Sequence, residues 1–156
     1  MDEHLIKDLN LRLLEEVEVV YLATVDEKGF PQVRAMANLR NVVQFHSIAG
    51  IFEGHKDDFL MYFTSHKSSD KIKHIGANSA ISVYFCDARK RCGMLLFGKI
   101  DIVSDAKLKK EVWQERWIKH FPGGDGDPEY TVLRFVPSFA KGWSPQGPFQ
   151  LKLAEN

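Results

Sequence analysis

Val17-Glu18-Val19-Val20-Tyr21-Leu22-Ala23-Thr24-Val25 is the stretch on which the architecture turns. Its valines and tyrosine favour an extended chain, and successive side chains of a strand face opposite ways. One face then carries Val19, Tyr21, Ala23 and Val25, the other Val20, Leu22 and Thr24. Both faces are apolar. In a small protein, a strand covered on both sides needs a barrel interior behind it and a helix or a second subunit in front. Downstream, Asp26-Glu27-Lys28-Gly29 reads as a turn, and Pro31 opens a returning strand that runs to about residue 38. Upstream, residues 4–16 place Leu5, Ile6, Leu9 and Leu13 on one helical face, with Asp2 or Glu3 at the end the helix dipole favours.

The rest of the chain repeats the hairpin theme. Residues 40–58 lack clean periodicity and read as a short helix between loops, and residues 59–65 as a strand. Residues 68–76 form a short helix with Ile72 and Ile75 inward, while residues 80–86 alternate Ile81, Val83 and Phe85 on one face. Residues 93–103 return antiparallel. The pattern over residues 105–120 gives the longest helix, capped by Ser104 or Asp105, with a stripe of Leu108, Val112, Trp113 and Trp117. A loop over residues 121–128 leads to strands at 130–136 and 140–143, and residues 146–156 read as a tail after a single domain over 1–145. The resulting expectation is mainly β with packed helices: an antiparallel barrel of about six strands. A doubly wound sheet would need strands alternating regularly with helices, which the two hairpins contradict.

Composition narrows the function classes. A chain of 156 residues, 44% hydrophobic and 27% charged, suits one globular domain with no need of a disulfide or metal staple. Lys and Arg (21) balance Asp and Glu (21), so no global charge draws the chain to nucleic acid or anionic lipid. The apolar runs at 17–25 and 94–103 are too short for a membrane helix, and Met1-Asp2-Glu3-His4 lacks the order of a secretory leader. A soluble, cytoplasmic protein without nucleic-acid or membrane partners is expected. Cys86 and Cys92 match no zinc or redox spacing and read as reduced thiols flanking a hairpin, near enough for an occasional disulfide if the strands pair. The six histidines show no paired ligand spacing, so no metal site is expected. There is no Walker loop, Gly-x-Ser-x-Gly elbow or His-Glu-x-x-His. Gly123-Gly124-Asp125-Gly126-Asp127 follows a helix and carries two carboxylates that would repel a phosphate, so it reads as a turn.

One segment carries a chemical signal. Tyr62-Phe63-Thr64-Ser65-His66-Lys67-Ser68-Ser69-Asp70-Lys71 is a strand end, a hydroxyl-rich turn and a helix start. Ser68 or Ser69 can cap that helix, and its first-turn N–H groups suit an anion. Lys71 sits in the first turn, where the dipole disfavours a cation, a placement that makes sense beside a phosphate. The competing reading is a capped helix with a solvated lysine. Arg34, among the small or apolar neighbours Ala35 and Met36, is a second candidate cation. Phe63, Trp117, Phe139 and Trp143 are either flat walls for a ring system or core.

These residues together resemble a known family. Leu22-Ala23-Thr24-Val25-Asp26 through Gly29-Phe30-Pro31, Arg34-Ala35-Met36, Tyr62-Phe63-Thr64-Ser65, Ser68-Ser69-x-Lys71 and residues 79–87 resemble the pyridoxamine phosphate oxidase-like FMN-binding split barrel. Trp113, Trp117, Phe121-Pro122-Gly123-Gly124, Val136-Pro137 and Lys141-Gly142-Trp143 are similar to its general stress protein branch. The resemblance implies a six-stranded split barrel, a homodimer and FMN at the dimer interface. It further implies that Arg34 and Lys71 contact the FMN phosphate, with Thr64, Ser65 and Ser69 as donors. Ala35, Met36, Tyr62 and Phe63 would line the flavin, and Trp143 would approach it from the closing segment. The implied activity is that of an FMN-dependent oxidoreductase of unidentified substrate, with no assigned catalytic side chain. The alternatives are a flavin-binding or redox-sensing stress module without turnover, or a haem- or deazaflavin-binding relative. Two departures stand out: residues 38–58 exceed the family's usual short hairpin, and Leu151-Lys152-Leu153-Ala154-Glu155-Asn156 lacks the arginine and histidine with which pyridoxamine phosphate oxidases hold substrate.

Overall fold

A computed structural model describes residues 2–153. In chain order the elements are α1 (Glu3–Glu16), β1 (Val19–Val25), β2 (Pro31–Ala37), a 3-10 segment (His46–His55), β3 (Met61–His66), α2 (Asp70–Ala77), β4 (Ala80–Asp87), β5 (Cys92–Ile102), α3 (Ala106–Val112), two further 3-10 turns (Glu115–Lys119 and Gly124–Gly126), β6 (Tyr130–Ser144) and β7 (Gly147–Lys152). All strand pairs are antiparallel, in the order β2-β1-β4-β5-β6-β3, with β7 also on β6. The sheet curls into a split barrel. β2 and β3 end the order and do not pair with each other.

The β1–β2 hairpin is set by chemistry at its turn. The Asp26 carboxylate accepts from the Lys28 and Phe30 amides, each at 2.9 Å, and Gly29 supplies the positive φ of 84°. The resulting register puts Leu22 opposite Arg34 and Tyr21 opposite Ala35. Val20, Leu22 and Thr24 are buried in the barrel, while Val19 and Tyr21 are exposed on its outer face. In α1 the buried stripe is Ile6, Asn10, Leu13 and Leu14, with Leu11 beside it. Leu5 and Leu9, expected inward, are exposed. Asn10 is tolerated in the buried stripe because its amide donates to the Ile6 carbonyl of its own helix at 2.8 Å.

Four expectations are corrected. The stretch 130–144 is one strand, not two, because Pro137 lies where the β5–β6 register shifts at Phe97/Gly98, a site where a missing N–H costs no ladder bond. Gly98 is required there: a Cβ would run into the Val136 carbonyl oxygen. The expected long helix over 105–120 is only α3 followed by a 3-10 turn, since Trp113 is extended (ψ 140°). The Tyr130 hydroxyl donates to the Lys109 carbonyl at 2.9 Å, satisfying a last-turn carbonyl, and Trp113 packs edge-on to the Tyr130 ring at 5.1 Å. Residues 147–152, expected within a tail, form β7, and Phe149, Leu151 and Leu153 are buried. Finally, Cys86 pairs with Gly93 and Cys92 with Asp87, so the two free thiols occupy adjacent ladder positions on opposite faces and an intrachain disulfide is excluded.

If β7 is part of the barrel, Leu151→Ala removes buried methyls and should cost about 2–5 kcal/mol of stability. Urea unfolding checks this, and a change within about 0.5 kcal/mol is what a surface tail would give.

Candidate functional site

α2 packs on β1 and lies near residues from both ends of the sheet order. From β3 comes Ser65, from β2 Arg34, and from the start of α2 Ser69 and Lys71. Ser69 is the N-cap residue of α2, yet its hydroxyl makes no cap bond. Instead Ser69 Oγ lies 2.9 Å from Ser65 Oγ, and Lys71 Nζ donates to Ser65 Oγ at 3.1 Å and Ser69 Oγ at 3.2 Å. Ser68 is also diverted: its amide and hydroxyl donate to the Glu129 carboxylate at 3.0 and 2.8 Å, while Lys67 N donates to the Glu129 carbonyl at 2.8 Å. Neither serine therefore caps the helix by its side chain, as had been expected, and the amides of Asp70 and Lys71 remain first-turn donors that helix geometry does not pair.

Arg34, half-buried, reaches inward from β2. Its Nη1 donates to Thr24 Oγ1 at 2.7 Å, to the Gln32 carbonyl at 3.0 Å and to the Leu22 carbonyl at 3.3 Å. Thr24 Oγ1 in turn lies 2.8 Å from Nδ1 of His74, on α2. Burial pushes the Lys71 ammonium below the ordinary lysine range, the Arg34 charge pushes it further, and Asp70 opposes both. Burial likewise lowers Arg34, again opposed by Asp70. Two cations are held close in a partly desolvated place, and an anion there would relieve both.

The remaining candidates fall elsewhere. Met36 is buried on the Arg34 side of β2, opposite Val20, whereas Ala35 is exposed on the outer face. Phe63 is fully buried in the barrel core. Tyr62 is buried on the other side of β3, its ring 5.8 Å from that of Phe52. Thr64 shares that side by alternation, away from Ser65 and Lys71. Trp143 stands on the outer face, its Nε1 donating to Tyr84 Oη at 3.4 Å. It lines a groove of about 520 Å3 with Tyr84, Leu95, Lys141 and Phe149. Tyr84 pairs with Tyr21, which pairs with Ala35, so these four residues share the outer face. Thr24, His74 and Glu129 were not singled out by sequence reasoning. One signal was there for Thr24: it is the single hydroxyl on the inner face of β1, one diagonal from Arg34. Among the described residues, no group of three or more His, Cys, Asp or Glu could hold a metal ion, and no helix is long and apolar enough to cross a membrane.

Comparison with known proteins agrees with this architecture. Residues 11–154 match the model of the family described as "Pyridoxamine 5'-phosphate oxidase like". General stress protein 26 of Bacillus subtilis (strain 168) is 28% identical over 140 residues, spanning 88% of this chain and 87% of the relative. The crystal structure of a protein from Clostridium acetobutylicum related to general stress protein 26 superposes with a TM-score of 0.76 at 25% identity, covering 98% of this chain and 97% of that one. A pyridoxamine 5'-phosphate oxidase-related, FMN-binding protein from Nostoc punctiforme has the same fold, with a TM-score of 0.62 at 14% identity, covering 97% and 95% of the two chains.

Because its folded-state pKa is lowered, charged Lys71 opposes folding below that pKa, and the opposition fades as pH rises toward the ordinary value of 10.5. The parent should therefore gain stability relative to Lys71→Met as pH is raised through that window. Inorganic phosphate should shrink the gain by stabilising the charged amine. Paired urea titrations across pH, with and without phosphate, check both statements.

Proposed function

From the premise that this chain belongs to the pyridoxamine 5'-phosphate oxidase-like family, we propose that it is a homodimeric FMN-binding flavoprotein and an oxidoreductase acting on a small molecule. One observation carries the reading. Lys71, Ser65 and Ser69 meet at the start of α2, and Arg34 lies near enough for its charge to act on Lys71, two positive charges and two hydroxyls of the kind that a terminal phosphate dianion recruits. The residues fit FMN: these four would hold its phosphate, with the first-turn amides of α2 adding donors. Ala35 on β2 and Trp143 with Tyr84 on the outer face would contact the ring system. Met36, Phe63 and Tyr62 are buried and would back the site as packing rather than as open walls. Bound flavin supplies the hydride or electron chemistry, while the protein supplies binding and orientation.

The dimer rests on the outer face. Val19, Tyr21, Val33 and Trp143 are each at least 41% exposed there, a density of large apolar groups that suits a subunit interface. The same face holds Ala35 and the Trp143 groove, so ring and interface would coincide. Vitamin B6 oxidation is not part of the reading, because residues 151–156 carry neither the arginine nor the histidine with which pyridoxamine phosphate oxidases hold substrate. A flavin-holding module without turnover has one observation in its favour. Two histidines on or beside α2 are engaged structurally: His74, in its last turn, with Thr24 at 2.8 Å, and His66, before its start, against the Phe121 ring at 4.6 Å. Reduction of bound flavin by NAD(P)H, followed by reoxidation by an acceptor, separates the two.

Two outcomes are expected. Arg34→Ala and Lys71→Ala should each fold and bind FMN on the order of tenfold to a hundredfold more weakly, the cost of one charge-assisted contact; unchanged fluorescence titrations would remove the phosphate assignment. Sedimentation at micromolar concentration should give a dimer, and Tyr21→Glu, which buries a charge in the proposed interface, should give monomer.

A further inference from the structure

Among the described residues, Thr24 and His74 are two of the few buried polar side chains, 1% and 7% exposed. A threonine hydroxyl has one hydrogen and two lone pairs. Arg34 Nη1, which can only donate, takes one lone pair at 2.7 Å. The acceptance polarises the hydroxyl, whose own hydrogen is then best directed to His74 Nδ1 at 2.8 Å. The result is a chain of donors from β2 through β1 to α2.

That chain ends on the helix that carries Lys71. His74 lies three residues beyond Lys71, about one turn, so the two share a flank of α2. Anchoring His74 to β1 sets the rotation of α2 that presents Lys71 to Ser65 and Ser69. At its other end the chain fixes Arg34 through Nη1, which donates to Thr24, Gln32 and Leu22, so that Nε and Nη2 are not spent on that link. Arg34 disfavours the charge on Lys71, so the two cations resist each other's approach, and some fixed link must hold them at a useful spacing. We infer that the Thr24–His74 hydrogen bond is this link: a positioning pair that holds Arg34 and Lys71 at the separation a phosphate monoester bridges and thereby sets the preference for a phosphorylated over an unphosphorylated ligand. The inference rests on the proposed FMN site but assigns the preference to residues that need not touch the ligand.

The test compares the parent with Thr24→Val, which keeps the shape and removes the hydroxyl, and Thr24→Ser, which restores it. Affinities for FMN, riboflavin and inorganic phosphate are measured, with thermal melts to establish that each variant folds. The expected result is that Thr24→Val binds FMN and inorganic phosphate about tenfold more weakly, binds riboflavin like the parent, and that Thr24→Ser recovers the parent's ratio. If Thr24→Val leaves the FMN-to-riboflavin ratio unchanged, whether by weakening both or neither, the positioning role is overturned while the FMN site stands. A serine variant that behaves like valine also overturns it. A parent that binds neither FMN nor inorganic phosphate overturns the site and the inference together. Should Thr24→Val fail to fold, His74→Asn, which keeps an amide near the Nδ1 position, against His74→Leu decides the same ratio.

Discussion

The antiparallel run of β6 is the constraint on which the rest of the molecule depends. Its first half pairs with β3, its second half with β7, and β5 follows it along both. A flat strand of that length would hold β2 and β3 far apart at the two ends of the sheet. The bend at Gly98 and Pro137 curls the sheet instead. Ser65 of β3 then meets the first turn of α2, and Arg34 of β2 lies near enough for its charge to act on Lys71. The barrel is filled by side chains such as Leu22, Phe63, Phe85, Met94, Leu96 and Phe135, all essentially fully buried. The polar cluster therefore sits at the seam where the barrel fails to close, with an apolar core behind it.

At that seam, local physical chemistry runs against ordinary helix design. A serine at the N-cap usually bonds the helix's own amides. Here Ser69 faces Ser65 and Lys71, and Ser68 is held by Glu129. A lysine in the first turn opposes the dipole, and burial and Arg34 both disfavour its charge. The buried lysine and the uncapped first turn are costs as the chain stands, and a bound dianion would offset both. A fold that keeps several unfavourable choices in one small region is best explained by the ligand they share.

Much of this was legible in residues 17–25, because both faces of that strand are apolar and only a barrel with a further cover makes use of both. The inner face proved to be core; the outer face, with Val19 and Tyr21, is exposed in the single chain. The grouping of Ser65, Ser69 and Lys71 was also legible, since a strand end, a short turn and a helix start bring near neighbours in sequence together. Other features needed tertiary information. Tyr62 and Phe63 look like walls in a motif, yet strand alternation sends them into two different cores. The stripe over residues 105–120 has perfect helical spacing, but the Tyr130 hydroxyl, distant in sequence, takes a carbonyl at which the helix stops. Pro137 reads as a break until its partner is seen to be a register shift. β7 was missed because six residues of alternating, half-polar sequence carry little signal without the strand they pair with. The Thr24–His74 link joins residues 50 positions apart and had only an isolated hydroxyl on an aliphatic face to announce it.

The central claim is that the seam is a phosphate site and not a capped helix with a stray lysine. Calorimetry of the unmodified protein with FMN and with riboflavin, at moderate salt, tests it most directly, because the two ligands share a ring system and differ by the phosphate. Two charge-assisted contacts predict FMN bound more tightly by on the order of a hundredfold or more. Equal affinities for the two flavins would contradict the account.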